Sequence, residues 1–255
     1  MKTIAFVRKE LMENVRSKRL LIITILSVLM AILGPATALL TPKILELFAE
    51  DLSASGMTIT STDITVFDSW MQYFKNIPIV LIVLTIIWAG SFTGEYQKHT
   101  LIPFVTKGLS RTGIYTAKIT VLSLIWTGAY GLYFAISVYY NGYYWGNGPV
   151  KYMGMAILCY WLFGLWIVAA IGFFSAFCSS TFQVILGVGA MYFLCTLLGI
   201  VPKLADKLPT ALCGGLSLMQ GASEPTDFTV PILVTVILIV LLTGCGIALF
   251  QKKEV

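Results

Sequence analysis

The sequence predicts an all-α integral membrane protein of six transmembrane helices. Hydrophobic residues make up 58% of the 255 and charged residues only 11%, with a mean hydropathy of +0.87. A soluble domain carries about 25% charged residues, so this composition excludes a globule with an ordinary water-facing surface. Six apolar stretches are each long enough to cross about 30 Å of hydrocarbon, which takes roughly 20 helical residues. They are continuously apolar and do not alternate as the strands of a membrane barrel do.

Taken in order, residues 1–19 predict a helix lying in the membrane interface. Ile4, Val7, Leu11 and Val15 form one apolar stripe, and Arg8, Lys9, Glu10, Glu13 and Arg16 occupy the rest. Such a helix places its apolar face in lipid and its cations near acidic head groups. The first span is expected over 20–40. Ala36-Thr37-Ala38 imitates a signal-peptide cleavage site, but the apolar run continues through Leu40, longer than a signal h-region, so an uncleaved span is expected. Residues 41–76 read as a polar loop, and 77–94 as the second span.

The third span is expected over 114–140, and the aromatics Tyr139, Tyr140, Tyr143, Tyr144 and Trp145 after it fit an interfacial belt. Between Lys151 and Lys203 no charge occurs. That run is too long for one crossing, and the polar Cys178-Ser179-Ser180-Thr181 near its middle predicts a tight hairpin between spans at 152–177 and 182–201. Residues 202–229, with Pro202, Pro209, Gly214, Gly215 and Pro225, read as a second polar loop on the outer side. The last span is expected over 230–250. The whole chain, 1–255, reads as one transmembrane domain.

Basic residues in short loops stay on the cytoplasmic side. With six spans, the side shared by both termini holds 12 of the 17 basic residues and four of the 12 acids (Glu10, Glu13, Glu95, Glu254). Both termini are therefore expected in the cytoplasm, with the chain multi-pass in the plasma membrane of a bacterium.

Several chemistries are excluded. There is no G-x-x-x-x-G-K-[ST] loop to cradle phosphate, and no HExxH; one histidine cannot build a zinc protease site. The five cysteines show no CxxC spacing, which argues against a disulfide framework or zinc site. Ion-coupled carriers need ionisable groups near the midplane, whereas these spans offer only uncharged polar groups such as Thr127, Ser175, Gln183 and Thr196. Lys118, one turn inside its span, is expected to snorkel back to the interface. Gly187 and Gly189 read as sites of close helix packing. No catalytic, cofactor or metal site is expected, and energy for pumping must come from outside the chain.

The connection between spans two and three is compact and basic. It runs Glu95-Tyr-Gln-Lys-His99-Thr100-Leu101, then Lys107-Gly108-Leu109-Ser110-Arg111, with Lys118 entering the next span. This resembles the membrane subunits of type-2 ABC exporters, whose loop commonly reads E-x-x-x-G-T-L and then K-P-x-S-R. Here His99 stands for the usual Gly and Gly108 for the usual Pro. The resemblance in span number and order covers the chain, and the sharp motif covers about 17 residues.

The resemblance implies a short cytoplasmic coupling helix within 95–113, docked on a separate ATPase. Glu95, His99, Thr100, Leu101, Phe104, Lys107, Ser110 and Arg111 would couple to it. It implies cytoplasmic ATP-binding-cassette subunits and a second permease, identical or homologous, as partners beside membrane lipid, and no nucleic acid. ATP and Mg would be bound by the ATPase and not by this chain. Export of a hydrophobic or amphipathic cargo, a bacteriocin-like peptide or lipophilic drug, is the function implied. A non-pumping scaffold, sensor or channel subunit explains the apolar spans equally well, and would make 95–118 a topology loop. An intramembrane enzyme would need convergent catalytic groups in the spans, and none is evident.

Overall fold

Every described element is helical. The computed structural model describes residues 2–47, 64–97, 103, 106, 108–146, 148 and 150–252. Helix α1 spans Lys2–Arg16, α2 Arg19–Leu47, α3 Val66–Trp88, α4 Gly90–Gln97, α5 Arg111–Trp145, α6 Met153–Phe177 and α7 Thr181–Leu198. Short pieces follow: α8 (Pro202–Ala205), a 3-10 turn (Pro209–Cys213), α9 (Gly215–Gln220) and a second 3-10 turn (Pro225–Phe228). Helix α10, Thr229–Lys252, ends the described chain. Six of these runs are long and apolar enough to cross a membrane: α2, α3 with α4, α5, α6, α7, and α10 with the turn before it.

Local chemistry sets the boundaries. Lys18 takes a left-handed backbone at φ 60°, a conformation that L side chains rarely adopt within a helix, and it separates α1 from α2. Ser180 caps α7 and Gln183 reaches back to it, a reciprocal capping box, so the hairpin turns where 178–181 predicts it. The second membrane run starts at Val66, eleven residues earlier than the expected 77. Asp68 accepts from the Thr65 backbone at 2.8 Å and fixes that start. The extra turns then bury Trp70, Tyr73 and Phe74. Tyr73 stacks on Tyr133 of α5 with ring centres 4.5 Å apart, and Phe74 stacks on Tyr160 of α6 at 5.3 Å. Packing therefore overrides the polar look of 66–76.

Helix α6 is the centre of the bundle, and α10 packs chiefly against it. In lipid there is little hydrophobic drive between helices, so small residues that admit large neighbours decide which faces meet. Gly164 of α6 receives the indole of Trp126 from α5; a Cβ there would lie inside the ring. Gly172 of α6 and Gly246 of α10 both close on Tyr115 of α5, and Gly187 of α7 closes on Phe174.

Residues 202–228 are not an open polar loop. Their short helical pieces seat Leu212, Leu218 and Met219 at 0% exposure against α6 and α3. The prolines and glycines that suggested a loop are what lets so short a segment turn repeatedly; Pro209 and Pro225 each start a 3-10 turn.

Candidate functional site: a buried ring of charge

The inward face of α1 takes in only half of its apolar stripe, Val7 and Leu11, and centres on a different row. Phe6, Glu10 and Asn14 are buried, whereas Ile4 is 75% and Val15 60% exposed. These buried positions recur every four residues, one row of a helix, and the row runs along α5 and α2. Asn14 donates to the Glu10 carbonyl at 2.9 Å and accepts from the indole N–H of Trp88 on α3 at 2.8 Å.

Lys118 of α5 does not snorkel. Its side chain is 3% exposed, because carboxylates from two other helices come to it. Nζ lies 3.0 Å from Glu10 Oε2 and 3.0 Å from Glu95 Oε2, and donates to the Ser91 carbonyl at 3.2 Å. The Phe6 and Phe92 rings cover it at 5.9 and 5.5 Å. Lys9 grips the other oxygen of each acid, at 2.9 Å from Glu10 Oε1 and 3.2 Å from Glu95 Oε1. The four groups thus close a ring of alternating sign, with each carboxylate bridging both lysines. Glu13 joins from outside, 2.7 Å from Lys9.

The carboxylates of Glu10, Glu13 and Glu95 lie within 4.8 Å of one another, a spacing that a divalent cation could bridge. The Lys9 ammonium, however, already contacts all three. What the arrangement does chemically is hold three helices, α1, α4 and α5, by charge away from water.

The other sequence-predicted site residues separate into two groups. Ser110 caps α5, accepting from the Gly113 N–H at 3.1 Å. Arg111 donates to the Gln251 carbonyl of α10 at 3.0 Å, and Gln251 returns a bond to Thr112 at 2.7 Å. His99, Thr100, Leu101, Phe104 and Lys107 lie outside the described residues. Glu10 and Lys9 were missed as partners of Glu95 because a period of 3.6 was read from apolar residues alone. The signal was present: Phe6, Glu10 and Asn14 share a row, and Glu95 and Lys118 each sit at a span end on the same side of the chain's expected topology.

Burial of Glu13 pushes its carboxyl up, but the hydrogen bond from Lys9 together with the charges of Lys9, Lys118 and Arg19 outweighs this and leaves it below its ordinary 4.5. Burial likewise pulls Lys9 down, and its bonds to Glu13 and Glu10 with the charge of Glu95 hold it above the usual 10.5. The stability Glu13 contributes is present above 4.5 and is lost as pH falls through its lowered value; that of Lys9 is complete below 10.5 and is lost only when pH climbs past its raised value. We therefore expect protection of α1 amides from hydrogen exchange to hold through the neutral range. It should fall as pH drops below 4.5, once intrinsic rates are corrected.

No protein-family model matches the chain, and no curated protein is similar enough to count as a match.

Proposed function

We propose that the chain is the membrane-spanning permease subunit of an ATP-driven exporter, working with separate ATPase subunits and a second permease copy or relative. The observation that carries this reading is mechanical. The connection at 98–110 departs from Gln97, two residues after the ring member Glu95, and returns at Ser110 and Arg111, which are tied to α5 and α10. A push on that connection meets a joint shared by α1, both flanking spans and the last span. Coupling between proteins needs such a packed element with discrete arrangements.

In this reading the connection is the coupling segment and lies on the cytoplasmic side with both termini, in keeping with the 12 basic residues there. The outward residues Ile4, Met12 and Val15 of α1 alternate with Arg8 and Arg16, a surface suited to the lipid head-group region. The cargo is hydrophobic or amphipathic, since the ring's charges pair with one another and the stretch from Ile77 to Gly94, like 153–177 and 181–198, carries no charge.

The test is co-purification from mild detergent after cross-linking, comparing wild type with the double variant Leu101→Asp/Phe104→Asp. An ATPase recovered with wild type and lost with the double variant supports the reading. If none is recovered with wild type, the exporter reading fails and a non-pumping scaffold, sensor or channel subunit replaces it.

A further inference from the structure

The geometry points to α1 as a detachable latch, released by cutting the charge ring into two neutral pairs. The ring has two members on α1, Lys9 and Glu10, and two in the bundle, Glu95 and Lys118. Each half holds one charge of each sign. When α1 lifts away, Lys9 keeps Glu10 and Glu13, at 2.9 and 2.7 Å, and Lys118 keeps Glu95 and the Ser91 carbonyl, at 3.0 and 3.2 Å. Breaking most buried ion pairs strands a charge, and that penalty makes them permanent. Here the cut exchanges partners and strands none. The other polar tie, Asn14 to Trp88 at 2.8 Å, is a single hydrogen bond between groups that water would satisfy once the joint opens.

The rest of α1 is built to leave. It reaches α2 through Ser17 and Lys18, with Lys18 left-handed, so a hinge is already in place. Ile4, Met12 and Val15 are exposed with α1 docked; the row of Phe6, Glu10 and Asn14 is buried in the bundle, and beside it Val7 and Leu11 are only partly covered. Release exchanges the packing of the bundle for the looser head-group surface, where a 15-residue helix frays more readily, so it would show as loss of backbone protection.

A latch and a static staple differ in sign. Glu10→Gln removes the main attraction between α1 and Lys118 while leaving the undocked state with its Glu95–Lys118 pair, so it favours release. Glu95→Gln gives up the Lys9–Glu95 contact across the joint at 3.2 Å, but it leaves the more deeply buried Lys118 with no carboxylate unless Glu10 is docked, so it favours docking. A staple would loosen in both variants.

The experiment is hydrogen–deuterium exchange of residues 2–16 in the full chain, held in nanodiscs of phosphatidylethanolamine and phosphatidylglycerol without any ATPase. We expect exchange about tenfold faster in Glu10→Gln and several-fold slower in Glu95→Gln, with peptides of α6 unchanged in both. Faster exchange in both variants, or no change in either, overturns the latch. Should Glu10→Gln fail to fold, Glu10→Asp shortens the reach at constant charge and carries the same expected sign. Because no partner is present, the outcome is independent of whether an ATPase docks at 98–110.

Discussion

Lys118→Met is expected to lower the stability of the purified chain by about 3–5 kcal/mol, the usual cost of removing one partner from a buried charge network. Methionine fills much the same volume, so lost packing contributes little. The damage is electrostatic. Glu10 and Glu95 would face each other with Lys9 as their shared cation, and Glu13 already draws on Lys9 at 2.7 Å. The double variant Lys118→Met/Glu95→Gln removes one charge of each sign and should recover more than half of the loss, because well-packed neutral groups replace a buried ion pair at little net cost. Denaturation in mixed micelles, followed by circular dichroism, measures both. Equal stability of the single and double variants would show that the ring contributes shape and not charge.

Gly164→Val should be comparably severe. The Trp126 indole occupies the space that any side chain at 164 would need, and Trp126 is 0% exposed with its N–H given to the Trp161 carbonyl at 3.0 Å. The ring cannot swing aside without leaving that donor unpaired. Overpacking a filled core costs about 1–3 kcal/mol, and here α5 must also move off α6. Trp126→Ala alone costs about 3–5 kcal/mol, but combined with Gly164→Val the two losses should not add, since the lost indole opens the space that the valine side chain then fills. Thermal unfolding in detergent of the two single variants and the pair gives the coupling. Strictly additive losses would place the two residues out of contact.

The six long helices were legible because a membrane imposes one constraint, a sustained apolar run, and composition reports it directly. The hairpin at 178–181 was legible because the uncharged run is too long for one crossing and four small polar residues interrupt it; the capping box of Ser180 and Gln183 emerged only in the structure. The start of the second run was not, because Asp68 and Lys75 look like loop residues until Trp70, Tyr73 and Phe74 are seen to stack across three helices. The ring was half legible. Glu95 and Lys118 stood out as lone charges at span ends, but Glu10 looked like one member of a solvated face. Its partner lies 108 residues away, and no local period carries that information. The segment 202–228 misled for a related reason: proline and glycine mark turns equally well on a surface and in a folded cap.

The place of α6 has a consequence for how the chain is made. Its principal neighbour is α10, the last of the described helices in chain order. The end of α6 at Phe177 precedes the end of α10 at Lys252 by 75 positions, and at about 5–20 residues per second that gap lasts roughly 4–15 seconds. Throughout that interval the most enclosed helix of the finished protein stands in the bilayer with lipid against the face that α10 will cover. Birth order and final adjacency therefore disagree, and a chain stopped before residue 225 would hold five of the six membrane-length runs with their centre still open.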